Sequence, residues 1–546
     1  MLMLPALALA QSNDAPTSLD ALFGTPAPKS TSSPPAPPAE SIDQSESTAP
    51  LPMGEHAGTD TAPTQPSLSK DPQSRDALFA TEQPSAPATA TATATGATDE
   101  NTSAQEPPTS ADALFGVPTT APADTQNRQL EAGEESSGPA LPEIHGFFQN
   151  ELAYAYPGSG HFSKFKNTLQ LQASGRAHAV GGFNWFVSSR FVFDPVYDKE
   201  SYFSEDVEDD QAVELSLREA YADIELGDLE LRLGRQLIVW GETPGVFVAD
   251  IATAKDLREH IVQDFELLRI GQWAARAEYF TDDLVLEAFW IPFATVNEIG
   301  VAGSEFYPGY VFAPDGVETR FGKQREPSNA LSNSGFGTRA STLWDGYDIS
   351  LFYYTSIDAH AAFERQIIAG ASPVFLYTPK HARIHQFGTT LTKDFRSFLL
   401  KAEATYTKGR QVEVSNLLDT DGLLRKDALE YIIGLDWHLA DETNINIQFF
   451  QRFYPEHDSQ QVEKQFTSGV TFLANTGTFH PDVKPQVLLI HSLDEFDWLL
   501  QAKLAWQVDP AVKLTVGTDI FEGPRRGIFG QYDKNDRVYY ELRYDF

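Results

Sequence analysis

From Glu143 to Phe546 apolar and polar residues alternate with a period of two, in segments of about ten residues separated by polar breaks. Trp498, Leu500, Ala502, Leu504, Trp506 and Val508 share one face, with Leu499, Gln501, Lys503, Ala505 and Gln507 on the other. After an Asp509-Pro510 turn, Val512, Leu514, Val516, Thr518 and Ile520 continue the apolar row opposite Lys513, Thr515, Gly517 and Asp519. Leu400, Ala402, Ala404 and Tyr406 alternate with Lys401, Glu403, Thr405 and Thr407, and Ile433, Leu435, Trp437 and Leu439 with Gly434, Asp436 and His438. The apolar rows are too many, and the opposite rows too charged, for the core of a soluble sandwich. A sheet apolar outside and polar inside must close when it sits in lipid, because lipid cannot satisfy an unpaired backbone group. The pattern therefore predicts an all-β fold, a transmembrane antiparallel β-barrel of about 18 strands, with 16 as the alternative.

Connections alternate in length. Short ones fall at Gly227-Asp228, Trp344–Gly346, Lys393–Ser397 and Val508–Pro510; long ones at Asp194–Asp210, Trp240–Glu266, Pro292–Ser334 and Ser356–Ile384. Short periplasmic turns and long outer loops are the habit of outer-membrane barrels. Trp240, Trp290, Trp437 and Trp506 fall near strand ends, where an interfacial aromatic girdle is expected. The last strand reads RVYYELRYDF. Its alternating Tyr540, Leu542, Tyr544 and terminal Phe546 form the expected signal for the barrel-assembly machinery.

Composition divides the chain near Pro142. Before that point lie 21 of the 35 prolines, and no Tyr or Trp; after it lie all 19 Tyr and all 8 Trp. Residues 11–142 cannot bury enough apolar surface to offset chain entropy and are expected to be a disordered periplasmic tail. MLMLPALALAQS ends its apolar run in a small-x-small site, so residues 1–10 read as the remnant of a secretory signal; the alternative is an ordinary Ala/Leu-rich start. The net charge of -37 argues against nucleic acid as a partner. With no Cys, thiol nucleophiles, Cys-zinc sites and disulfides are excluded.

The segment Leu231–Phe280 carries Gly234-Arg235-Gln236, Trp240-Gly241-Glu242, Asp250, Asp256-Leu257-Arg258 and Leu268-Arg269. In these elements the chain resembles the proteobacterial outer-membrane family known as domain-of-unknown-function family 1302, over roughly Gly146 to Phe546, with the tail outside the resemblance. Members often read Asn-Pro where Ala254-Lys255 stands here. Members often lie beside exporters of the resistance-nodulation-division type. The resemblance thus implies traffic of hydrophobic or lipid-like cargo and an exporter or periplasmic carrier as partner.

The loop after Trp240 is the main site candidate. Thr253-x-x-Asp256 has the form of a capping box, and Leu257, Ile261 and Phe265 recur at helical spacing, so a short amphipathic helix is expected. Folded inward, the loop would bring Arg235, Trp240, Glu242, Asp250, Asp256, Arg258 and Arg269 to a constriction, where charge sets selectivity. The bland alternative is an outer loop whose charges are merely solvated.

Other signals are weaker. The acidic stretch Ser204–Asp210 could offer carboxylates to calcium but lacks the Gly and spacing of a calcium loop. His381 and His385 lead into a strand, so their spacing does not place them on one face as metal ligands. No GxSxG or HExxH is present, and no catalytic, metal or cofactor residue is assigned; a barrel hydrolase is the distant alternative. A plugged receptor would need a folded plug, which the Pro-rich tail cannot supply.

The tail repeats S-x-D-A-L-F-[GA] three times, at Asp20, Leu22, Phe23; Asp76, Leu78, Phe79; and Asp112, Leu114, Phe115. Each copy holds the only aromatic residue of its stretch, and is too short to fold alone. Three copies on a flexible chain spanning roughly 60–70 Å would raise avidity for a periplasmic partner. The expected function is an outer-membrane channel or export conduit. The rival is a non-conducting scaffold or receptor that recruits periplasmic proteins through these repeats.

Overall fold

A computed structural model describes residues 142–546, apart from 159, 178–181, 261–264, 371, 440–442 and 478–479. The signal remnant, the tail and its three repeats lie outside the described residues. Eighteen antiparallel strands form one closed sheet. In chain order they are β1 (Glu143–Ala155), β2 (His161–Ala177), β3 (Phe183–Phe193), β4 (Val213–Leu226), β5 (Leu229–Gln236), β6 (Gln272–Phe280) and β7 (Val285–Ile291). Next come β8 (Gly335–Trp344), β9 (Tyr347–Ile357), β10 (Arg383–Asp394), β11 (Leu399–Glu413), β12 (Leu423–Leu439) and β13 (Thr443–Phe453). The last are β14 (Phe466–Asn475), β15 (Val483–Ser492), β16 (Trp498–Asp509), β17 (Val512–Glu522) and β18 (Arg537–Asp545). Each strand pairs with its neighbour in sequence, and β1 pairs with β18 from Phe147↔Asp545 to Ala155↔Arg537, so no edge is left open.

The alternation read from the sequence sorts the two faces. Phe191, Leu215, Leu351, Ile433, Ile447, Leu504, Val516 and Leu542 are exposed on the outer face, whereas Gln149, Arg190, Lys401, Glu403, Asp436, Gln448 and Asp519 are buried inside. Tyr544 and Phe546 are also outward and exposed. Trp273, Trp290 and Phe336 mark one end of the outer band, with Tyr279 and Trp344 at the other. Trp240 departs from the expected girdle: it is 1% exposed, inside the barrel, because the chain turns inward before reaching it.

Short turns gather on one rim together with both ends of the described chain. At Asp345-Gly346 both residues have positive φ (50° and 71°), the geometry of a tight hairpin. The opposite rim carries the long loops. Two of them, residues 292–334 and 358–382, together build a small sheet of Glu318–Phe321, Ala362–Ile368 and Val374–Lys380, packed on Ile299, Tyr310, Val311, Phe363, Phe375 and Tyr377.

Candidate functional site

The loop between β5 and β6, residues 237–271, folds into the lumen. At its start the Leu237 N–H donates to Glu219 at 3.3 Å, and Ile238 exchanges two bonds with the Thr253 hydroxyl, 3.1 Å and 2.6 Å. Trp240 then packs among Phe289, Phe352 and Tyr354 on the inner wall, its indole N–H bonded to Glu287 of β7. Gly241 lies so close to Asp250 that a Cβ would come within 2.7 Å of the Asp250 nitrogen, which accounts for glycine after Trp240.

Residues 242–249 meet three successive inward positions of β11. Glu403 accepts from the backbone N–H groups of Glu242 (2.6 Å), Thr243 (2.9 Å) and Ala249 (2.8 Å). Thr405 donates to the Val248 carbonyl at 2.9 Å, and Lys401 to the Glu242 carbonyl at 3.3 Å. Lys401 also pairs with Asp436 at 3.3 Å, and the Glu242 side chain accepts from Thr392 of β10 at 2.7 Å. Period-two geometry forces Lys401, Glu403 and Thr405 onto one face; sequence pattern alone had no means of naming the loop they hold.

The returning limb is braced by ion pairs. Asp250 pairs with Arg269 at 3.2 Å and Lys255 at 3.5 Å, and the two cations hold its carboxyl below the usual range against the opposing effect of burial. Asp256 and Arg258 pair at 2.7 Å, and Arg258 reaches Glu214 of β4 and Glu298 at 3.3 Å. Glu214, Asp256 and Glu298 are the one acidic cluster with metal-ligand spacing among the described residues, and the Arg258 guanidinium already sits among them as the site's cation. Glu259 pairs with Lys164 and Lys166 of β2, and His260 is fully buried among Phe306, Phe529 and Tyr532 with both ring nitrogens unbonded.

The expected helix beginning at Thr253 is not formed. Thr253 spends its hydroxyl on Ile238, while Ala254–Lys255 are extended and pair with Arg269–Ile270. Ile261 lies outside the described residues, and among the described residues of the loop helix is one turn, Phe265–Leu268. Of the constriction candidates, Glu242, Asp250, Asp256, Arg258 and Arg269 all enter this bonded network. Arg235 does not: it stays at the end of β5 beside Gly271, its Nε unbonded. The acidic stretch after Ser204 is a helix, Glu205–Gln211. His381 bonds the Asp358 carbonyl and His385 the Tyr353 hydroxyl, so the two histidines serve separate neighbours.

One feature of the wall departs from the polar interior expected. Ile432, Phe450, Leu473, Leu488, Ile490, Leu499 and Phe521 point inward from β12 to β17 and pack with Val246 and Val248 of the loop, and with Phe306, Ile528, Phe529 and Tyr532. The signal was present as apolar doublets: Ile432-Ile433, Phe449-Phe450, Phe472-Leu473, Leu499-Leu500 and Ile520-Phe521 each place one side chain on either face. A small cavity of about 30 Å³ remains beside the loop, lined in part by Asp250, Lys255, Asp358, His360, Arg410 and Glu430.

A closed antiparallel meander with a long loop braced across its lumen defines a transmembrane β-barrel of porin-like build. The chain belongs to the family described as protein of unknown function DUF1302, whose profile matches residues 86–519. The match thus reaches into the tail, further than the motifs around Trp240 indicated, and ends within β17. Similar solved structures include Acinetobacter baumannii OccAB4, at 8% identity and TM-score 0.46, over 76% of this chain and 100% of that one. Pseudomonas aeruginosa OccK2 (OpdF) in complex with glucuronate is similar at 9% and 0.44, over 74% and 98%. Salmonella typhi OmpF in complex with daunomycin is similar at 11% and 0.37, over 74% and 97%. No curated protein sequence matches the chain.

Proposed function

We propose that this protein is an outer-membrane channel or export conduit whose lumen is closed by its own loop. The observation that carries this reading is the seat on β11, where Lys401, Glu403 and Thr405 bind residues 242–248 across the lumen. Glu403 is 3% exposed, and hydrogen bonds to a charged group contribute about 1.5–3 kcal/mol each, enough to keep the loop seated most of the time. The inward apolar strip from Ile432 to Phe521, which the seated loop covers with Val246 and Val248, supports hydrophobic or lipid-like cargo once the loop leaves it. Cargo reaches the short-turn rim from a periplasmic carrier or an exporter of the resistance-nodulation-division type, docked on the tail repeats.

The test is single-channel conductance of the refolded protein in a planar bilayer, beside a variant lacking residues 244–263. Rare openings in the intact barrel and steady conductance in the deletion are expected. A folded deletion variant that stays silent would overturn the conduit reading and leave the scaffold, which the same tail repeats favour.

A further inference from the structure

Three backbone N–H groups of the lumen loop converge on one carboxylate, and that carboxylate belongs to the wall. The N–H groups of Glu242 and Thr243 meet one Glu403 oxygen, and the N–H of Ala249 meets the other. Convergent backbone N–H groups form an anion-binding concavity, and bonds to an ionised acceptor are roughly twice as strong as neutral ones. Lys401 and Thr405 flank Glu403 along β11, and toward the neighbouring strands the socket gives onto an apolar strip. Glu403 pairs across the ladder with Ile432, and Ile432 with Phe450, both inward and buried. Val246 and Val248, which lie between the donor residues in the chain, pack on the same cluster. That strip crosses six strands, which at the usual spacing gives a length of about 24 Å.

We infer that the socket binds amphipathic carboxylates, a carboxyl head on a long apolar body, and that such a molecule opens the lumen by competing with Glu403 for the three N–H groups. The inference rests on the loop being the closure. In the seated state Glu403 occupies the socket, so the ligand binds only the released loop. A ligand that binds one of two states shifts the balance toward it. The head replaces Glu403 at the N–H groups, and the body lies along Val246, Val248 and the strip they uncover. Lys401, two positions along the same face, stays beside the freed Glu403. A neutral alcohol offers these donors no charge, and acetate offers the strip no body.

The test is conductance of the full-length protein with octanoate, 1-octanol or acetate at equal concentration. Glu403→Ala, Glu403→Gln and the 244–263 deletion run in parallel, each checked for the heat-dependent gel mobility of a folded barrel. Octanoate should raise wild-type conductance toward that of the deletion variant, and 1-octanol and acetate should not. Octanoate should add nothing to the deletion variant. An equal rise with 1-octanol would overturn the carboxylate socket. Glu403 variants that open while octanoate leaves the wild type closed would overturn the inference and spare the closure. Folded Glu403 and deletion variants that conduct no more than wild type would overturn the closure itself.

Discussion

The indole N–H of Trp240 donates to the Glu287 carboxylate at 3.0 Å, and this bond fixes the point where the chain leaves the barrel wall for the lumen. Glu287 also accepts from Arg276 at 2.9 Å, so it is paired at the base of the loop. Trp240→Ala removes a side chain 1% exposed and leaves a cavity between Phe289 and Phe352; such changes cost roughly 3–5 kcal/mol. The expected result is a folded barrel with frequent openings. Trp240→Phe keeps most of the packing and loses only the bond to Glu287, so its opening frequency should lie between those of Trp240→Ala and wild type.

The Lys401–Asp436 pair is 3.3 Å apart, with both side chains almost fully buried. Removing one member leaves an uncompensated buried charge, worth about 3–5 kcal/mol, whereas removing both is often close to neutral. Lys401→Met alone should lower barrel stability in urea by that order, and Lys401→Met with Asp436→Leu should recover most of it. Additive losses in this double-mutant cycle would mean that the two groups do not act as a pair.

Closure should weaken in acid. Burial pushes the His260 imidazole down to about 3, so the seated residue is neutral while a released one takes up a proton below about 6.5. Between those values the released loop binds more protons, so the stability of the seat is whole above pH 6.5 and is lost as pH falls toward 3. Glu298, half-exposed beside Asp256, works in the opposite direction: partial desolvation and the Asp256 carboxylate push its carboxyl up, so it favours the seat at lower pH. Comparing wild type with His260→Phe isolates the histidine. Conductance of the wild type should climb from pH 7 to pH 4 more steeply than that of the variant, and parallel profiles would remove His260 from the account.

Tyr540, Leu542, Tyr544 and Phe546 should govern insertion rather than stability. Deleting Phe546 removes two backbone bonds to Gly146, 2.8 Å and 2.9 Å, from an otherwise intact seam. Fewer folded barrels in the membrane, with unchanged urea midpoints for those that insert, is the expected outcome.

Changing Leu22-Phe23, Leu78-Phe79 and Leu114-Phe115 to Ala-Ala pairs should abolish capture of a periplasmic partner by the full-length protein while barrel yield stays the same. Unchanged co-purification would count against docking.

The barrel was legible because the apolar outer row repeats from strand to strand, even where β12 to β17 also turn apolar residues inward, and each register follows from short turns such as Asp345-Gly346. The loop was legible as a set of charges but not as a path. Asp250, Asp256, Arg258 and Arg269 stand out in the sequence, yet the partners of Arg258 on other elements, Glu214 and Glu298, are set by how the strands and loops come together, which no local pattern encodes. The helix at Thr253 failed for the same reason: a capping box is a local preference, and tertiary bonds from Thr253 to Ile238 outweigh it. Glu403 sat in plain view as one polar residue among four on β11.

Glu259 bonds Lys164 on β2 and lies 3.9 Å from Arg537 on β18, the strands flanking and forming the joint with β1. Every other pairing within the barrel is between strands adjacent in the chain, whereas the β1–β18 joint closes over the whole meander. The loop cannot complete its contacts until that joint exists. Glu259 therefore ties the loop to strands on both sides of that joint. The same carboxylate that braces the loop thus also spans the seam where the first and last strands meet, so the loop and the seam share one fastening.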